Sequence, residues 1–220
     1  MIQLVIFDMD GLMFDTENVT CRAFIEKGKE YGIPLDKKAF VKLLGLNSIA
    51  IINQYEKLFG AQMDGAILYR EVGTRKKEIL KEEGLPVKKG LFELLETLDE
   101  AGIKKAVASG SDREEIERFL DETGLVGRFD MILSTKEVKR GKPYPDVFQR
   151  ICQELSVNPS DTLVLEDSDN GVKAAVAGNI PVINIPDLVE IPKELQEKCL
   201  AVEDSLLDVI PYILSEQKNI

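Results

Sequence analysis

The chain has 220 residues, 44% of them hydrophobic, and 28 basic against 39 acidic residues give it a formal charge of −11. That length and composition suit a folded domain, or a domain with an insertion, and argue against disorder; the charge opposes binding to nucleic acid or to an anionic membrane surface. There is no histidine, which excludes Ser-His-Asp and Cys-His catalysis, histidine phosphatases and nearly every common catalytic zinc arrangement.

Read in chain order, residues 2–7 form a near-continuous, β-branched apolar run that predicts a buried parallel strand, ending abruptly at Asp8-Met9-Asp10-Gly11. From about Glu17 to Gly84 no strand is expected. Apolar residues there, such as Phe24 and Ile25, Val41, Leu43 and Leu44, Ile51, Ile52 and Tyr55, recur at helical spacing, and about four helices are read. Leu91, Leu94, Leu95 and Leu98 predict the next helix, and residues 103–108 a second strand. Ser111-Asp112-Arg113-Glu114 has the form of a capping box, with Ser111 as the cap of a helix carrying Ile116, Phe119 and Leu120. Residues 131–133, 162–165 and 181–185 are further strands. Helices after Pro145 and after Ser168-Asp169 separate them.

Strands alternating with helices imply an α/β fold, a Rossmann-like doubly wound parallel sheet, here with an all-helical insertion. The expected division is residues 1–16 and 85–220 for the core and residues 17–84 for the insertion. Cys21, Cys152 and Cys199 form no C-x-x-C pair, as expected of reduced thiols, and no apolar run approaches a membrane span. The apolar start meets Asp8 too early for a signal peptide. A cytoplasmic protein is expected, with no membrane partner and a composition compatible with a monomer.

The polar clusters follow the strands, where doubly wound sheets bind ligands. Asp8 and Asp10 are two residues apart; in isolation they would read as solvated loop carboxylates, but a buried strand carries them to the sheet's carboxyl edge. Glu166-Asp167-Ser168 repeats the pattern after a second strand. Four carboxylates at one edge repel unless a cation sits among them, and a hard dication such as magnesium prefers oxygen ligands. Ser168 or Asp169 could cap the following helix, which explains neither Glu166 nor Asp167. Ser109 and Gly110 could offer a hydroxyl and backbone N–H groups to a phosphate, or could form only a turn. Lys142, fixed between Gly141 and Pro143, could offset charge on a nucleophile and a transferring phosphoryl group.

In this order, Asp8-Met9-Asp10-Gly11, Ser109, Lys142 and Glu166-Asp167 resemble the four motifs of the haloacid dehalogenase superfamily. The segment from Asp8 to Glu17, Gly141-Lys142-Pro143-x-Pro145-Asp146 and Leu165-Glu166-Asp167-Ser168-x-x-Gly171 resemble its beta-phosphoglucomutase-like branch. The resemblance implies a Rossmann-like core with a helical cap inserted after the first motif. It also implies that Asp8 is the nucleophile of an aspartyl-phosphate mechanism and Asp10 the general acid and base. Asp8, the Asp10 carbonyl, Asp167 and Glu166, directly or through water, would hold magnesium. Ser109, Gly110 and Lys142 would bind the phosphoryl group, and Thr16 would hydrogen-bond Asp10.

Dehalogenases of the superfamily lack the second aspartate and need no metal, so Asp10 and the Glu166-Asp167 pair speak against one. The mutases typically carry a histidine where Thr20 stands and a basic pair around a cap glycine, where this chain has Leu43-Leu44-Gly45-Leu46-Asn47-Ser48. A magnesium-dependent phosphatase acting on a small phosphorylated metabolite is therefore expected ahead of a mutase. A non-enzymatic binding protein ranks last, because Asp8 and Lys142 are both present.

Overall fold

The computed structural model describes residues 1–59 and 64–217. Its elements divide between two compact units, residues 1–15 with 86–220 and residues 16–85.

The first unit is built on a six-stranded sheet with order β3-β2-β1-β4-β5-β6, all pairs parallel. The strands are β1 (Leu4–Phe7), β2 (Lys104–Ser109), β3 (Met131–Ser134), β4 (Thr162–Glu166), β5 (Val182–Asn184) and β6 (Ala201–Val202). Every residue of β1 and β4 is buried, the expected outcome when both faces of a parallel sheet are covered. Alternation assigns the faces. Leu4 and Ile6 join Ala106, Ala108, Val164 and Val182 in one cluster with the helices α7 (Asp146–Glu154) and α8 (Asp169–Ala177), through Val147, Phe148, Ile151, Val172 and Ala175. The buried leucines of α5 (Leu91–Glu100) lie outside that cluster, and this helix packs against β2 and α10 (Ile210–Gln217). The unit also holds α6 (Arg113–Glu122) and a short α9 (Lys193–Gln196). β6 has only two residues, too few for an alternation to register, and it went unread in the sequence.

β1 is flanked by β2 on one side and β4 on the other, with Phe7 opposite both Val107 and Leu165. The order of connections reverses there, which opens a crevice beyond the carboxyl ends of β1 and β4. The chain leaves and re-enters this unit through two paired segments: Asp15 N–H donates to the Pro86 carbonyl and Lys88 N–H to the Met13 carbonyl.

The second unit consists of α1 (Thr16–Glu30), α2 (Lys37–Val41), α3 (Ser48–Phe59) and α4 (Gly65–Glu83). Phe24 stacks on Tyr55 at 5.6 Å and meets Phe40 at 5.7 Å, giving the unit an aromatic centre. Leu68, Val72 and Ile79 form the buried stripe of α4. Its helix starts are locally encoded: Asp36 caps α2, Asp64 caps α4, and the Asn47 side chain accepts from Ala50 N–H at the start of α3. The expected helix through Leu43 and Leu44 is instead a turn after the five residues of α2.

Candidate active site

Asp8 is the first residue beyond β1. Its N–H donates to the Leu165 carbonyl at 3.0 Å, so the strand pairing is extended by one residue and the carboxylate is delivered to the sheet's edge. Glu166, fully buried, ends β4 beside it, and Asp167 follows. One carboxylate oxygen each from Asp8, Glu166 and Asp167 lies within 4.8 Å of the others.

Lys142 reaches into this group. Its ammonium donates to Asp8 Oδ1 at 2.5 Å, to Glu166 Oε1 at 2.5 Å and to the Ala108 carbonyl at 2.9 Å, which uses all three of its N–H groups. It also lies 5.2 Å from the Phe148 ring centre. Burial alone would lower the pKa of this ammonium, but the Asp8 and Glu166 charges outweigh that and push it up. Its two carboxylate partners thus favour the charged form. Glu166 is held at its other oxygen too: Oε2 accepts from Ser168 N–H at 3.1 Å and Ser168 Oγ at 2.9 Å, while that hydroxyl caps α8 by accepting from Gly171 N–H.

One ammonium does not balance three carboxylates. Burial pushes the Asp8 carboxyl up to about 7; the Lys142 ammonium opposes this and the Glu166 charge adds to it. Asp167 is raised well above the carboxylate range by burial, then by the charges of Glu166 and Asp8. A buried set of hard oxygen donors with excess negative charge fits a hard dication of the magnesium type. The loop lets the Asp167 carboxylate come close: Gly11 has φ +88°, and a β-carbon there would lie 2.3 Å from Asp167 Oδ2.

The Asp10 carboxylate is not in that group of three. Its Oδ2 accepts from Ser111 Oγ at 2.9 Å and from Ser109 Oγ at 3.4 Å. The expectation that Ser111 caps the following helix is corrected here. α6 starts at Arg113 with Asp112 at the cap position, and no side chain makes a cap hydrogen bond. The Ser111 hydroxyl is drawn to Asp10 instead, while Ser111 N–H donates to Ser109 Oγ at 3.0 Å and the Ser111 carbonyl accepts from Ser134 Oγ at 2.6 Å. Ser109 is fully buried, whereas Gly110 is exposed with open space where a side chain would stand. Thr16 is the first residue of α1 and belongs to the helical unit.

Two further residues border the site and were not singled out in the sequence. Asp187, shortly after β5, pairs with Lys88 at 2.7 Å. The available signal was position alone: a carboxylate at the carboxyl end of a predicted strand. In the helical unit, Thr20 Oγ1 donates to the Thr16 carbonyl at 2.8 Å. Arg75 is engaged by Glu26, Glu78 and Glu82 of the same unit.

Comparison with known proteins identifies the family. The chain is 30% identical over 181 residues to the fructose-1-phosphate phosphatase YqaB of Escherichia coli, covering 82% of this chain and 95% of the relative. It is 29% identical over 182 residues to a phosphorylated carbohydrates phosphatase of Thermotoga maritima, covering 81% and 82%. Among solved structures, a candidate beta-phosphoglucomutase from Thermotoga maritima superposes with a TM-score of 0.80 at 27% identity, over 98% of this chain and 99% of that one. Residues 5–185 match the description of the haloacid dehalogenase-like hydrolases, and the chain belongs to that family.

Proposed function

We propose that the chain is a magnesium-dependent phosphatase that hydrolyses a small phosphorylated metabolite, a sugar phosphate or similar monoester, through an aspartyl-phosphate on Asp8. The observation that carries this reading is the Lys142 ammonium bonded at once to Asp8 and Glu166 beside Asp167. It is a fixed cation on a carboxylate that is otherwise held among like charges. The two relatives named as phosphatases of phosphorylated sugars support the substrate class.

In the proposed reaction Asp8 attacks phosphorus and the ester P–O bond breaks. The leaving oxygen takes its proton from Asp10. Asp10 then removes a proton from water, whose oxygen attacks the phosphorus of the acyl phosphate, releasing inorganic phosphate and the Asp8 carboxylate. The Ser111 hydroxyl orients the Asp10 carboxylate, and Ser109 with the Gly110 backbone is assigned to the phosphoryl oxygens. Lys142 holds Asp8 and neutralises the transferred group. Asp8, Asp167 and the Asp10 carbonyl would hold magnesium, with Glu166 bordering it, and the ion would supply charge stabilisation to the phosphoryl oxygens. Residues 17–84, the helical insertion, are assigned the part of a cap.

A mutase is the second reading, favoured by the superposition on the candidate beta-phosphoglucomutase. Against it, Thr20 stands where the mutases have their histidine, and its hydroxyl is turned to its own helix. Arg75 is committed to three glutamates of its own unit. Water is accordingly assigned as the acceptor. Cys21, Cys152 and Cys199 are free thiols, in keeping with action in the cytoplasm; no helix among the described residues is long and apolar enough to cross a membrane. The test is phosphate release from an aryl phosphate and a panel of sugar phosphates, with and without magnesium. Magnesium-dependent release that is abolished by Asp8→Asn is expected; comparable release by that variant overturns the reading. Formation of glucose 6-phosphate from beta-glucose 1-phosphate would favour the mutase.

A further inference from the structure

The part-buried ion pair Asp187–Lys88 lies outside the four motifs, yet the fold ties both of its members to the acidic site. At the end of β5, the Asn184 side-chain amide donates to the Glu166 carbonyl at 2.9 Å, and Ile185 N–H donates to the same carbonyl at 2.8 Å. The chain leaving β5 is thereby pinned to the last residue of β4. Asp187 follows, its side chain only 6% exposed, with Oδ1 accepting from the Lys88 ammonium at 2.7 Å. Lys88 is itself anchored through its N–H to the Met13 carbonyl, in the loop that begins at Asp8.

The other oxygen of Asp187 faces the acidic group. A methyl placed on Gly11 would lie 2.3 Å from Asp167 Oδ2 and 3.4 Å from Asp187 Oδ2, so carboxylates from two strands converge over one glycine. An ion pair serving only the fold has no reason to aim a second anion at Asp167, since like charges at this range repel and a buried pair adds little net stability. A cation shared by the two would reverse that sign.

Building on the magnesium site proposed above, we infer that Asp187 is a positioning residue for that ion. Lys88 fixes the carboxylate by Oδ1 so that Oδ2 stands beside Asp167, and its charge raises the site's affinity for magnesium without taking part in phosphoryl transfer. The inference concerns metal affinity, and metal binding without substrate is its readout.

The experiment is calorimetric titration of magnesium chloride into the full chain and into Asp187→Asn and Asp187→Ser, in substrate-free buffer. Melting curves in chelator establish that each variant is folded. Expected is roughly tenfold weaker magnesium binding in the variants, the scale on which groups supporting a metal site act, with kcat at saturating magnesium within about twofold of the parent. A parent that binds magnesium and a folded variant that binds it equally well overturn the role of Asp187 alone. A parent that binds no magnesium overturns this role together with the magnesium reading. Should one variant unfold, the other is read, together with the magnesium-dependent rise in melting temperature.

Discussion

Gly171, in the first turn of α8, offers a test in which two physical effects have opposite signs. Helix propensity alone favours Gly171→Ala by up to about 1 kcal/mol. The structure opposes it, because a β-carbon at Gly171 would lie 1.8 Å from both Cδ and Oε1 of Glu166. That carboxylate is not free to swing away. Oε1 is held by Lys142, Oε2 by Ser168, and the residue is fully buried. Displacing it breaks a buried ion pair, a loss of about 3–5 kcal/mol when one partner is left behind. The net expectation is a destabilisation of about 3 kcal/mol, or roughly 6–12 °C in melting temperature for a chain of this size. Gly73→Ala is the control: this glycine lies within α4, and a β-carbon there meets nothing within 4 Å. It should raise stability by up to about 1 kcal/mol, or roughly 2–4 °C. Calorimetric melting of the two variants, with phosphatase assays alongside, decides the matter. A Gly171→Ala protein that melts at or above the parent and keeps full activity refutes the anchoring of Lys142 by Glu166.

Other outcomes follow from the same geometry. Lys142→Met leaves the buried carboxylates of Asp8 and Glu166 without their ammonium; kcat should fall by at least about a hundredfold, a loss of about 3 kcal/mol in transition-state stabilisation, with magnesium-free stability lowered as well. Ser111→Ala removes the 2.9 Å donor to Asp10. A roughly tenfold fall in kcat with KM little changed is expected, about the worth of one such bond, and steady-state kinetics across pH would register it. The metal-free protein should also show a pH effect on stability. Burial, opposed by Lys142 and aided by Glu166, raises the Asp8 carboxyl from 3.8 to about 7. Because the folded value lies above the unfolded one, its stabilising share is present below about pH 4 and lost as pH rises through about 7. Melting temperatures in chelator should decline over that range, and Asp8→Asn, which cannot ionise, should flatten that part of the decline.

How legible this site was depended on whether the signal was local. Asp8 and Glu166 could be found because each closes an apolar strand, and β1 and β4 are neighbours whose ends share an edge. Lys142 stood out between Gly141 and Pro143, and its three acceptors come from three separate strand ends. Ser111 misled because its local pattern is that of a helix cap, while its partner Asp10 lies about a hundred residues earlier; tertiary contact overrode the local preference. Asp187 is marked only by its position after a predicted strand and Lys88 by nothing local, and only the packed sheet brings them together. The alternation of strands and helices was readable in the sheet unit through β5, while α9, the two residues of β6 and α10 went unread. The substrate stays unread for the same reason, because side chains that select a metabolite act by placement in space and leave no spacing rule in the chain.

The nucleophile can be tested most directly by chemical trapping. Mixing the enzyme with magnesium and a turned-over phosphate ester, then quenching in borohydride, reduces an acyl phosphate to the alcohol. Peptide mass spectrometry should then find homoserine in place of Asp8 and unmodified aspartate at positions 10 and 167. Reduction at either of those residues, or steady turnover with Asp8 left intact, would contradict an aspartyl-phosphate on Asp8.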